Sequence, residues 1–404
     1  MDIETLSTAI DAYAGKTNAG LETLNGTVGE LRERLDRIEL AEGRKGLFGS
    51  GDETRFEASG WVDSEGKPVP ILGKSDYADR RKMAAKLGVR SDAEFSVGDY
   101  VKGVAGLKSK PEVRAALQEG VSPAGGYLVP DALMPNIIAA LAPSSATLQA
   151  GARIVPIDQQ AGSFRIARVD TLPTAQWRGE SGAVPESPPA FGAITFYPKS
   201  LAFYFKVSME LLADAPNIDP ILTAIIGQAF AVGMDKAALI GTGAGAEPIG
   251  VLNASGTNTV SMGTDGAVPS NWDPILDALY EIELDNAPPA TSIIAHPRSW
   301  RTLRKLKSSA DDQPLIAPPE VAALGRYSST QLPIDEVKGG SSDCSTVLVG
   351  DFSRLMFGMR SGLQILKADQ LHAGTGEVGF YCFARMDTAL EYAAAICKIT
   401  GVRA

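Results

Sequence analysis

The sequence predicts an α+β fold, and three observations carry that prediction. Between residues 152 and 207, four short runs follow one another that read as strands. Ile218–Ile240 keeps an apolar face over about six turns and stops at Gly241, which reads as the longest helix. The C-terminal third then mixes short helical and short strand patterns.

Taken in order, the first forty residues stand apart. Leu21, Leu24, Val28, Leu31, Leu35 and Ile38 follow a 3-4-3-4-3 spacing, the a/d seam of a coiled coil, with charges of both signs on the flanks. Gly20, Gly26 and Gly29 each cost a helix about 1 kcal/mol relative to Ala, so the segment predicts a marginal, concentration-dependent self-associating helix. An amphipathic helix packed on its own domain is the alternative. Residues 43–75 are rich in Gly, charge and turn formers and read as a linker. Helical patterns resume at Tyr77–Leu87, Phe95–Ala105 and Glu112–Leu117, and a short helix is expected at Asp131–Leu141. The four strand runs follow: ARIVPI, SFRIARV, AITFYP and LAFYFKV. TAQWRGESGAVPESPPAF lies between the second and third, a long exposed loop linking two β-arms. Beyond the long helix, helices are expected at Pro274–Asp285, Arg298–Lys307 and Pro319–Leu324. Strands are expected at SIIAHP, STVLVGDF and AAAICKIT.

The chain has 404 residues, enough for two or three domain-sized units. No stretch approaches 18 uninterrupted apolar residues, so no transmembrane span is expected, and the acidic start MDIETL predicts no secretory leader. Lys plus Arg is 38 and Asp plus Glu is 48, a net charge of −10. Up to Lys110 there are 17 bases and 19 acids, and from Pro111 onward 21 and 29. Neither part is a basic module that could displace counterions from a duplex, which argues against tight nucleic-acid binding. Cys344, Cys382 and Cys397 form no CxxC pair and predict reduced thiols.

The sequence carries no complete catalytic motif. His296 and His372 lie 76 residues apart, which excludes HExxH and paired-His metal sites. Gly179-Glu180-Ser181-Gly182 lacks nucleophile-elbow spacing. Gly73-Lys74-Ser75 lacks the upstream glycine of a P-loop, where Pro68 stands, and reads as a turn. Gly241-Thr242-Gly243-Ala244-Gly245 follows a helix instead of opening one, so it reads as a helix stop. No catalytic, cofactor-binding or metal residue is assigned. Glu281, Glu283 and Asp285 read as surface acids. Arg298, Arg301, Arg304, Lys305 and Lys307 crowd one helix, either as a solvated face near Asp311 and Asp312 or as a contact with an acidic neighbouring subunit.

Six local strings then occur in order. They are Gly125-Gly126-Tyr127-Leu128-Val129-Pro130; Lys206-Val207-Ser208 with Leu211-Leu212-Ala213-Asp214-Ala215-Pro216; and Asp235 to Gly243 with Glu247-Pro248-Ile249-Gly250-Val251-Leu252. His296-Pro297-Arg298-Ser299-Trp300, Val349-Gly350-Asp351-Phe352-Ser353 and Arg385-Met386-Asp387 complete them. In this order and spacing, over residues 120–404, the chain resembles the major capsid proteins of tailed bacteriophages that share the HK97-type fold.

The resemblance implies a helical coiled-coil scaffolding-type extension and linker at 1–75 and an N-terminal arm at 76–150, part of which is removable with the extension. It implies an E-loop β-hairpin at 151–208, a P-domain with its spine helix at 209–270, an A-domain at 271–371 and a return to the P-domain at 372–404. Trp177, Arg178, Glu180, Pro185 and Glu186 become E-loop contact candidates between subunits, and Arg298, Arg301 and Arg304 A-domain contact candidates. Partners would be copies of the chain in hexamers and pentamers, a portal protein, a maturation protease, encapsidated DNA held without sequence-specific contacts and a decoration protein. No membrane and no cofactor are implied, and the place is a virion capsid assembled in the bacterial host cytoplasm. Some members of this family join subunits through an isopeptide bond from a Lys just before a Pro-Glu in the E-loop. Here Val184 precedes Pro185-Glu186, and the other two positions fall near Gly376 and Phe383, so no covalent crosslink is expected. A gene-transfer particle, an encapsulin-type nanocompartment and an enzyme with an unrecognised site are the alternatives.

Overall fold

A computed structural model of the chain describes residues 69–403 other than 90–95, 108–109, 112, 115–116, 118–126, 129–132, 158–163, 172–189, 216–217, 309–311 and 369. α1 (Arg80–Leu87) starts where the Asp79 carboxylate accepts from the Arg81 and Lys82 N–H groups, and it closes on left-handed Gly88. α2 (Val97–Val104) opens with a capping box between Ser96 and Asp99. Both helices lie where the sequence expects them, trimmed to their caps. β1 (Tyr127–Leu128), α3 (Met134–Leu141) and α4 (Ala146–Ala150) follow. The next four strands are those expected from the sequence: β2 (Arg153–Ile157), β3 (Phe164–Thr171), β4 (Ala190–Phe196) and β5 (Lys199–Ser208).

α5 (Met209–Asp214) leads into α6 (Ile218–Ile240), which matches its expected bounds. Leu222, Ile226, Phe230, Ala231, Met234, Ala238 and Leu239 of α6 are buried in the main core, each large one contributing about 1.5–3 kcal/mol. Phe230 meets Phe203 of β5 edge-on, with ring centroids 4.8 Å apart. By length and composition Pro220–Ile240 could cross a membrane. Its burial and its Asp235, anchored to α4 as described below, mark it as a core helix instead. The helix ends at Gly241, where nothing larger fits: a Cβ there would lie 2.3 Å from the Pro248 carbonyl oxygen and 2.5 Å from that of Ala237. The Gly241–Gly245 run is thus a helix stop.

The remaining elements alternate. They are β6 (Asn258–Ser261), α7 (Asp273–Leu284), β7 (Ser292–Ala295), α8 (Pro297–Arg304), α9 (Pro319–Ala323), β8 (Gly325–Ser328) and β9 (Glu336–Lys338). Then come β10 (Ser341–Gly350), β11 (Leu355–Ala368), β12 (Glu377–Leu390) and β13 (Ile396–Val402).

Among the described residues, two sheets and a ribbon result. The first sheet has the order β1-β11-β12-β5, with β2 also on β11. The second runs β6-β13-β10-β7-β8, with β9 on β10. Alternate residues of the second sheet face opposite ways, as its pleat requires. Ile293, Val347, Val349, Cys397 and Ile399 pack with α7 and α8, whereas Ile294, Leu348 and Ile396 join the main core.

The structure corrects the expected organisation in two respects. First, the hairpin arm is shorter than 151–208. β2 pairs in parallel with β11, and β5 pairs with β12 over Lys199–Ser208, so both belong to the first sheet. Among the described residues, β3 and β4 alone form a separate ribbon, from Phe164↔Phe196 to Thr171↔Ala190. Second, the sheets cut across the boundaries at 271 and 372. β11 lies in the first sheet, while β6 and β13 flank each other in the second, so residues 372–404 return to both sheets. Period-two patterning tells which face of a strand is buried and says nothing of its neighbours.

Candidate assembly surfaces

Nothing in the described residues converges as a reaction centre. No group of three or more His, Cys, Asp or Glu could hold a metal ion among them. The functional features are surfaces, together with the joints that hold them in place.

The first is the root of the β3–β4 ribbon. Phe164, Ile166, Ile194 and Phe196 turn one face inward against Val155 and Ile157 of β2, Met356 of β11 and Val69. Their seat is Gly358: a Cβ there would lie 2.6 Å from the Phe196 ring and 2.7 Å from Ile157 Cδ1. Just past the ribbon, the Tyr197 N–H donates to the Asp387 carboxylate at 2.6 Å, and Asp387 also accepts from the Thr388 N–H. Burial raises the Asp387 pKa above its ordinary value. The Thr388 hydroxyl donates to the Ile249 carbonyl at 2.7 Å, tying the loop after α6 to the same place. The outer end of the ribbon, with Trp177, Arg178, Glu180, Pro185 and Glu186, lies outside the described residues, as do Leu21, Leu24, Val28, Leu31, Leu35 and Ile38 of the expected coiled coil.

The second feature is apolar exposure. Ile221, Ile225 and Val232 of α6 stay 43–51% exposed on the side opposite its buried face, with Leu211 of α5 at 50%. On α7, Tyr280 and Leu284 are 60% and 59% exposed. Apolar side chains at helical spacing on an outer face suit a partner surface better than water.

The third is α8. Arg301 and Arg304 are exposed, as a contact face requires. Arg298 instead turns inward, and its Nη2 donates to the Asp343 carbonyl at 2.5 Å. Its place in the first turn, beside the start of β10, points it back into the fold. His296 caps this helix, its Nδ1 accepting from the Arg298 N–H at 3.0 Å, and the Trp300 indole N–H donates to the Tyr327 carbonyl at 2.9 Å.

Inside, Asp235 of α6 is 4% exposed and accepts from the Ser145 hydroxyl (2.6 Å), the Thr147 hydroxyl (2.5 Å) and the Ala146 N–H (2.7 Å). Burial raises its pKa while these hydrogen bonds pull the other way. Asp351 accepts from the Ser353 N–H and hydroxyl at the turn from β10 to β11. The Gly73-Lys74-Ser75 turn is no phosphate cradle, since the Gly73 N–H is already taken by Asp76 at 2.8 Å. Four of the strings singled out in the sequence are therefore joints: Asp235, His296 and Trp300, Asp351 and Asp387 each fix one element against another.

The phage capsid family model matches residues 125–401. The chain belongs to the phage capsid family. It is a structural protein, a major capsid subunit, and its mixed α and β architecture is the HK97-type capsid fold. Among solved structures, this capsid subunit is similar to the capsid of an empty GTA particle, at 23% identity and a TM-score of 0.50, over 62% of this chain and 87% of that one. It is also similar to structures from Mycobacterium phage Adephagia (15% identity, TM-score 0.49, 63% and 89% covered) and Microbacterium phage Oxtober96 (21%, 0.48, 63% and 90%). No curated protein matches it. Capsid subunits act by assembling, which is consistent with features that are faces and joints. The Gly358 seat and the exposed stripe on α6 escaped the sequence reading. The former needs knowledge of strand pairing, and the latter was hidden because α6 is apolar on both sides.

Proposed function

We propose that this capsid subunit assembles into hexamers and pentamers of an icosahedral shell enclosing phage DNA, without enzymatic activity of its own. The observation that supports this best is the ribbon rooted at Gly358. Its inner face is buried at the base, yet it leaves the body as only two strands, and two strands alone are marginal in water. A neighbouring subunit would supply the missing surface.

In this reading β3–β4 is the E-loop, the first sheet with α6 the P-domain, and the second sheet with α7 and α8 the A-domain. Residues 76–150 are the N-terminal arm. The preceding extension raises local concentration during assembly, before a maturation protease removes it. A portal protein occupies one vertex, and assembly takes place in the host cytoplasm. The net charge of −10 suits a container that must hold DNA without sticking to it. With Val184 ahead of Pro185-Glu186 the shell relies on non-covalent contacts or a decoration protein.

Negative-stain electron microscopy of the purified full chain, with and without a co-encoded protease, tests the reading. Closed shells, or regular rings of five and six, are the expected result. A discrete small particle at every concentration would overturn it.

A further inference from the structure

The second sheet carries its two covering helices toward opposite edges, and their charges are of opposite sign. α7 packs over β6, β13 and β10. Residues 271–290, which include it, hold five acids and no base. Asp277, Glu281 and Asp285 recur every four residues and so share one stripe of the helix and its cap. That stripe lies toward the β6 edge, because Asn258 of β6 donates to the Glu281 carbonyl at 3.0 Å and to the Asp285 carboxylate at 2.8 Å. At the other side of the sheet β8 is outermost. α8 leans on β8 through Trp300. Residues 297–307 hold five bases and no acid.

Two of those bases are engaged within the fold, Arg298 on Asp343 and Lys307 on Asp312. Arg301, Arg304 and Lys305 are exposed and form no ion pair among the described residues, and neither do Asp277, Glu281 and Asp285. Arg326 of β8 adds to the basic side: it aligns with Ile293 of β7, which places it on the helix-bearing face, and it is exposed. Four strand spacings separate the two edges, about 19 Å. Because the Debye length in physiological salt is about 8 Å, one subunit cannot neutralise its own edges.

We infer that the acidic α7 edge of one subunit docks on the basic α8 edge of the next, so that copies join head to tail around a ring. The occupant is a second copy of this chain, since the two surfaces complement each other and like edges repel. Two different patches make a heterologous contact, which closes into a ring when the rotation per subunit divides a full turn. Tyr280 and Leu284, exposed on α7 beside the acidic stripe, supply the apolar part of the contact. The inference rests on the shell reading above and names the surface that closes its rings.

Charge reversal in the full chain tests it. Asp277→Lys with Glu281→Lys makes both edges basic, and Arg301→Glu with Arg304→Glu and Lys305→Glu makes both acidic, Arg326 being outweighed. Each variant alone is expected to lose its rings in negative-stain images and in sedimentation. An equimolar mixture regains rings by alternating the two kinds. Alternation requires an even number, so the mixture forms rings of six and none of five. All five substitutions in one chain restore both sizes. If the two variants assemble like the wild type, or the mixture stays dispersed, the docking is overturned while wild-type rings leave the shell reading intact. A wild-type chain that forms no rings overturns both.

Discussion

Asp235 shows how one side chain joins two elements at a cost that depends on pH. It holds α6 to the start of α4 through several donors, while burial keeps its pKa above the ordinary aspartate value of 3.8. A carboxyl whose folded pKa is raised gives stability that is fully present below its unfolded value and lost as pH rises through the folded one. The wild-type body therefore loses stability from this group between about pH 4 and its folded pKa. Asp235→Asn should abolish that part of the slope in thermal melts taken across the pH range. It should also lower stability by about 1–3 kcal/mol, since the amide nitrogen cannot accept from the Ala146 N–H. An unchanged slope would show that Asp235 is not the titrating group. The thiols make a second residue-scale case. Cys344, Cys382 and Cys397 are buried, and burial pushes the Cys382 and Cys397 pKa values up to about 12. An aromatic disulfide reagent at mildly alkaline pH should leave all three unmodified in the folded chain and titrate three after denaturation. Fast labelling of any one before unfolding would contradict this burial.

At the scale of elements, the ribbon and the body are separable in energy. The root is packed on Met356 and Gly358, and among the described residues β3 and β4 pair with each other and with neither sheet. Replacing residues 172–189 with a short Gly-Ser turn is expected to move the melting temperature little and to abolish assembly. A large drop in melting temperature would mean that the tip supports its own subunit. Gly358→Ala acts at the other end. It forces Phe196 and Ile157 apart and should cost about 1–3 kcal/mol, read as a lower denaturant midpoint. What the sequence disclosed at this scale follows from burial. α6 was legible as a long apolar run that stops at glycine, and β5 because buried and exposed side chains alternate along it. β11 and β12, the two 14-residue strands at the centre of the first sheet, were not. β12 buries Val378, Gly379 and Phe380 in succession, and β11 holds two glycines and a register shift between Arg360 and Gln364, so neither keeps a period of two. The joints at Asp235 and Asp387 were legible only as strings, since Ser145 and Ala146 for the one and Tyr197 for the other lie on distant segments.

For the whole molecule, the lack of an amine on Val184, just before Pro185-Glu186, leads to one expectation. Assembled particles boiled in denaturant should run as a single band of one chain length, or two if a protease has acted. A ladder of multimers would reveal a covalent bond. The second sheet carries one more consequence. β13 comes after every other strand in the sequence, yet it lies between β6 and β10, pairing with β10 from Ser345↔Val402 to Gly350↔Ile396. While a ribosome is still translating, the gap stays open, with two raw strand edges on either side of it. A copy cut short before Ile396 could form every helix described above and still lack a finished sheet for α7 and α8 to cover. The order of the strands thus makes closure of the second sheet wait for Ile396–Val402, among the last residues to leave the ribosome.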